Sequence, residues 1–131
     1  ADEFPRASVA HGLALLLLAS PPTGDARLRQ LCQGAQGYLY YVSFAGVTGA
    51  DRLDTKAAGE RLHAIRAQCP VPVMAGFGTK AAASAAAMGS QADGVVVGSA
   101  LVAALGDAAD PVAQAGAFLA PLRAALDALP A

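Results

Sequence analysis

A chain of 131 residues with 55% hydrophobic and 15% charged residues is long enough to bury one core and too apolar to stay disordered. The formal net charge is −1, from nine Lys and Arg against ten Asp and Glu scattered along the chain. No basic stripe exists to release counterions from a phosphate backbone, so nucleic acid is excluded as an expected partner.

In chain order, a short helical segment over residues 5–10 comes first, followed by the apolar run 13–19. That run is far below the roughly 20 apolar residues that span a bilayer. Acidic Asp2 and Glu3 stand where a signal peptide needs positive charge. A buried strand in a cytoplasmic protein is the expectation, with no membrane partner. Further apolar runs follow at 37–43, 71–77 and 93–98, each bounded by turn residues. None alternates cleanly, which fits strands of a parallel sheet buried on both faces.

Helical patterns fill the gaps. Asp25 is placed to cap a helix with Leu28, Leu31 and Cys32 on one face, ending at Gly34 or Gly37. Asp54 or Thr55 caps a second, with Ala58, Leu62 and Ile65 inward and Arg61 and Arg66 outward. Thr79 opens an alanine-rich third, ending near Gly89. The last begins at Asp110-Pro111, a capping residue before a first-turn proline. It sets Val112, Ala115, Leu119, Leu122, Leu126 and Leu129 on one side, with Pro121 expected to kink or split it. Cys32 and Cys69 are too few for a zinc site or a disulfide framework and read as free thiols in a reducing compartment.

The order β-α-β-α-β-α-β-α predicts one domain, residues 1–131, of α/β class with parallel crossovers. Three glycine-rich turns follow predicted strands, at the ends that form the functional rim of such units. They are Gly46-Val47-Thr48-Gly49, Gly76-Phe77-Gly78 and Gly98-Ser99-Ala100, the last opening a short apolar helix over 101–105. Glycine lets backbone N–H groups converge on an anion, Ser99 adds a hydroxyl, and a helix N-terminus adds partial positive charge. One such turn is only a tight connection. Three on consecutive strand ends point to a phosphate.

The segments Gly37-Tyr38-Leu39-Tyr40-Tyr41-Val42-Ser43-Phe44-Ala45-Gly46-Val47-Thr48-Gly49-Ala50, Pro72-Val73-Met74-Ala75-Gly76-Phe77-Gly78 and Ala92-Asp93-Gly94-Val95-Val96-Val97-Gly98-Ser99-Ala100 resemble the sixth, seventh and eighth strands of the tryptophan synthase α subunit family. Leu15 to Leu18 followed by Ala19-Ser20-Pro21-Pro22-Thr23 is similar to the fifth strand and its exit. Phe44 and Thr79 depart from the usual pattern without touching the inferred phosphate donors.

The resemblance implies the C-terminal half of a parallel TIM-type (β/α) barrel, with about four β/α units. It implies retro-aldol cleavage of indole-3-glycerol phosphate to indole and glyceraldehyde 3-phosphate, with no metal or cofactor of its own. The partner it implies is the β subunit, which carries pyridoxal phosphate. By motif, Gly49, Phe77, Gly78, Gly98 and Ser99 hold the phosphate, Tyr40 lies beside the indole ring, and Gly46, Val47, Thr48 and Gly49 form a lid loop.

The family's two catalytic carboxylates belong to the N-terminal half of the barrel, which these residues do not include, so no catalytic residue is assigned in this chain. Asp51, Asp54, Glu60 and Asp93 read as capping, solvated or strand-starting residues, and His11 and His63 as surface or packing residues. The expectation is the phosphate- and indole-binding half of a lyase of tryptophan biosynthesis. The alternatives are a half-barrel that binds phosphate or docks the β subunit without catalysis, and one that closes by pairing with a second copy.

Overall fold

The computed structural model describes residues 3–42, 55–76 and 82–130. Helix α1 (Glu3–Ala10) leads to strand β1 (Leu17–Ala19), then α2 (Asp25–Gly34), β2 (Leu39–Val42), α3 (Thr55–Gln68), β3 (Val73–Gly76), α4 (Ala82–Gly89), β4 (Gly94–Val96), α5 (Ser99–Leu105) and α6 (Pro111–Asp127). The four strands form one sheet in chain order, β1-β2-β3-β4, and every pair is parallel. The alternation expected from the sequence is therefore present.

One sheet face is covered by helices. Ala19, Leu39, Tyr41, Val73 and Ala75 pack there against Leu28, Leu31 and Cys32 of α2 and Leu62 and Ile65 of α3. Ala85 and Met88 of α4 and Leu122 of α6 complete that core. The inward faces expected for α2 and α3 are the ones buried. Because strand side chains alternate, the register sets Leu18, Tyr40, Met74 and Gly94 in one row on the opposite face. That face is open: Leu18 is 60% exposed.

Several local expectations are corrected. The ladder of β1 begins at Leu17, because Leu15 pairs instead with Gln36, giving its N–H to Oε1 at 3.0 Å and accepting the Gln36 N–H at 3.1 Å. Gly37 then turns the chain into β2 with φ of +76°, a left-handed conformation open to glycine. Asp25 is the first residue of α2 rather than its cap: the N-cap is Gly24, and the Asp25 carboxylate turns to Arg61.

Asp110 does cap α6, accepting the N–H groups of Val112 at 3.1 Å and Ala113 at 3.0 Å. α6 runs unsplit through Pro121, held on both sides of the proline by the packing of Phe118 and buried Leu122 against the core. Val112 and Leu119, expected inward, are 84% and 41% exposed. The packed line of α6 runs through Ala115, Phe118, Leu122 and Leu126, at helical three- and four-residue steps, and Leu129 just beyond the helix is also half-buried. Gly89 receives the side chain of Leu126 where α4 and α6 meet, leaving no room for a Cβ.

Candidate functional site

The open sheet face and the C-terminal strand ends meet at Tyr40, Gly76 and the turn after β4. Tyr40 lies level with Met74 in the register, and Gly76 is two residues further along β3. A Cβ built on Gly76 would collide with the hydroxyl, Cζ and Cε2 of Tyr40. The phenol ring therefore leans diagonally across Gly76 toward the C-terminal rim. Met74 repeats the arrangement one strand on: a Cβ on Gly94 would sit 2.5 Å from its Cε and 2.9 Å from its Sδ. Tyr40 and Met74 each occupy the space that a glycine leaves on the next strand.

Gly98 is the N-cap of α5, with φ −116° and ψ −82° and no side-chain cap. A Cβ there would meet nothing within 4 Å, so the backbone faces open space. Ser99, the first residue of α5, is exposed. The chain thus presents the leading N–H groups of a helix and a hydroxyl at the end of β4, a donor set suited to an anion. The structure brings Tyr40 to the open face and Gly98 and Ser99 to the rim. Gly46, Val47, Thr48, Gly49, Phe77 and Gly78 lie outside the described residues, as do Asp51 and Asp54.

The rim after β1 is a closed turn. Ser20 donates its N–H to Thr23 Oγ1 at 3.0 Å, and Thr23 donates its N–H to the Ser20 carbonyl at 2.8 Å. Arg61 of α3 donates to the Thr23 carbonyl at 2.9 Å and to Asp25 Oδ1 at 2.8 Å. The hydrogen bond and charge of Arg61 hold the Asp25 carboxyl below its ordinary pKa of 3.8. The Arg61 cation is thereby engaged in joining α3 to this turn.

The remaining sequence candidates fall where a supporting role is expected. Glu60, His11 and His63 are exposed. Asp93 precedes β4, at the N-terminal end of the sheet; its Oδ2 accepts the Val73 N–H at 2.8 Å and its Oδ1 pairs with Arg66 at 2.8 Å. Burial pushes the Tyr41 hydroxyl up from its usual pKa, in keeping with its place on the helix-covered face. Among the described residues no Asp or Glu lies in a strand, no group of three or more His, Cys, Asp or Glu could hold a metal ion, and no helix is long and apolar enough to cross a membrane.

Sequence reasoning missed the roles of Gly76 and Gly94 on the open face. Their signal is a glycine in a strand beside a large side chain on its neighbour, legible only once the register is known.

The family profile described as "Tryptophan synthase alpha chain" matches residues 1–126. The tryptophan synthase alpha chain of Xanthomonas campestris pv. campestris (strain B100) is 67% identical over 103 residues, which are 78% of this chain and 38% of that protein. That of Xylella fastidiosa (strain 9a5c) is 64% identical over 102 residues, again 78% and 38%. Among solved structures, tryptophan synthase subunit alpha from Legionella pneumophila str. Paris superposes with a TM-score of 0.82 at 36% identity, covering 98% of this chain and 48% of that one. The A-subunit from Pyrococcus furiosus gives 0.78 at 29% identity, with 94% and 50% covered. The chain thus spans about half the length of these solved structures and 38% of the curated relatives. Its four-stranded parallel sheet is part of a TIM-type barrel, and the chain belongs to the tryptophan synthase alpha chain family.

Proposed function

We propose that this chain is the phosphate- and indole-holding C-terminal half of an indole-3-glycerol-phosphate lyase of the tryptophan synthase alpha type. The observation that carries the reading is the open sheet face, where the Tyr40 ring leans over Gly76 toward the rim. Gly98 and exposed Ser99 stand at the end of the strand beyond, at the start of α5. A flat aromatic ligand fits beside Tyr40, and its phosphate fits the N–H groups and hydroxyl at Gly98 and Ser99. Gly49, Phe77 and Gly78 complete the phosphate site, and residues 46–49 form the lid that excludes water.

In the reaction a base takes the proton of the glycerol hydroxyl next to the ring, the carbon–carbon bond breaks, and an acid protonates the indole carbon that the bond leaves. This reading assigns both groups to the other half of the barrel; no strand among the described residues carries a carboxylate. The subunit needs no cofactor for this step. A β subunit carrying pyridoxal phosphate receives the indole. The cytoplasm is the compartment this reading expects.

The test is thermal stabilisation by glycerol phosphate together with indole release by the protein that carries both barrel halves. Ser99→Asp sets a carboxylate against the phosphate and is expected to abolish both. Stabilisation without turnover in that complete protein would favour the second reading, a phosphate-binding or β-subunit-docking half-barrel, which the absence of a strand carboxylate among the described residues supports. Stabilisation unaffected by Ser99→Asp would reject the site.

A further inference from the structure

Neither cysteine has a part in the site above, and the fold brings the two together. Helices α2 and α3 pack side by side on the same face of the sheet. The start of α2 is joined to the middle of α3 by Asp25 and Arg61 at 2.8 Å. From that rung both helices proceed in the same direction for about two turns. Cys32 is then reached near the end of α2, and Cys69 directly after α3, where its N–H still bonds the Ile65 carbonyl at 3.0 Å. Cys69 is the neighbour that, after burial, acts on the Cys32 thiol. Both are free, Cys32 being 1% exposed within the core and Cys69 partly buried against it.

We propose that Cys32 and Cys69 are a redox modification site, closed by a small-molecule disulfide into an intramolecular bond that ties the end of α2 to the end of α3. The order of events follows from access. Cys69 is the more accessible sulfur, and its thiolate attacks one sulfur of the oxidant. An S–S bond forms at Cys69, and the other half of the oxidant leaves as a thiolate that takes up the Cys69 proton. The Cys32 sulfur then loses its proton and attacks Cys69 Sγ, displacing the second thiolate, which takes that proton. Two protein thiols are oxidised by two electrons in all, and one small disulfide is reduced to two thiols.

Burial first, and then the neighbouring Cys69, push the Cys32 thiol up to about 12. Direct attack by Cys32 on an oxidant in solution is therefore disfavoured twice, by access and by its scarcity as thiolate. The second step proceeds because its target lies at the same level of the neighbouring helix, packed against the same core. No charged group needs to move: the rung at Arg61 and Asp25 stays in place, and the new bond adds another two turns away. The oxidised form has a shorter free chain when unfolded, so its thermal midpoint is expected to rise.

The experiment incubates the purified protein with oxidised glutathione, then alkylates it under denaturing conditions and maps the peptides by mass. The expected product is a monomer lighter by two hydrogens, with residues 32 and 69 linked and no thiol left to alkylate, and dithiothreitol restores both thiols. Cys32→Ser is expected to stop at one glutathione adduct on Cys69, and Cys69→Ser to leave Cys32 unmodified. The map of the unsubstituted protein decides the matter even where a variant fails to fold. Two thiols still alkylatable, separate adducts on each cysteine, or a link between two molecules would each overturn the proposal.

Discussion

Replacing Asp93 separates a backbone anchor from an ion pair. Its Oδ2 accepts the N–H of Val73, a residue with 0% exposure, while Oδ1 faces Arg66 across 2.8 Å. A hydrogen bond to a charged acceptor contributes about 1.5–3 kcal/mol, and removing the acceptor leaves the amide to find water. The Arg66 and Asp93 side chains are 48% and 29% exposed, so solvent screens their pairing to about 0–1 kcal/mol. Asp93→Ala loses both contributions and should cost about 2–3 kcal/mol. Arg66→Ala loses only the pair and should cost less than about 1 kcal/mol. Asp93→Asn keeps an acceptor for Val73 and should fall near Arg66→Ala. Urea unfolding followed by circular dichroism measures all three as midpoint shifts at constant slope. Added salt should shrink the Arg66→Ala effect and leave most of the Asp93→Ala effect. An Arg66→Ala loss as large as that of Asp93→Ala would refute the anchoring role.

Asp110→Ala removes the cap of α6 and should lower stability by about 1 kcal/mol, with Asp110→Asn recovering most of it in the same titration. Asp25 is held below its ordinary pKa of 3.8 by Arg61, so its contribution is complete above that value and is lost as pH falls through the lowered one. Acid unfolding should accordingly be flatter below pH 3.8 in both Asp25→Asn and Arg61→Ala, and a parallel shift at all pH values would contradict this. Gly76→Ala must displace the Tyr40 ring, an overpacking change of about 1–3 kcal/mol. Calorimetry is expected to show weaker binding of an indole ligand, while binding of inorganic phosphate is retained.

The architecture was legible because its signals are local. Apolar runs between capping and turn residues mark the strands, and Asp110-Pro111 marks the start of α6 so clearly that the cap bonds to Val112 and Ala113 follow. Gly98 and Ser99 could be placed at the rim for the same reason. What escaped depends on residues distant in the chain. Asp25 has the composition of a cap, yet Arg61 offers it a charge-assisted bond that no local pattern reveals. Residues 13–16 look like strand, but Leu15 binds Gln36 before the ladder begins. The two cysteines read only as free thiols, because their placement side by side requires two helices in a particular alignment. Tyr40 was identified from its motif, whereas Gly76 beneath it acquires meaning only from the pairing of β2 with β3.

The sheet order has a consequence for how the chain reaches its fold. Leu17 pairs with Leu39, Leu39 with Val73, and Met74 with Gly94, so every strand joins the one that precedes it by a single helix. Among these four strands loop closure at each addition involves one short crossover. These four strands can add in turn as the polypeptide leaves the ribosome, each new unit finding an edge already made. Synthesis and assembly can then proceed in the same direction.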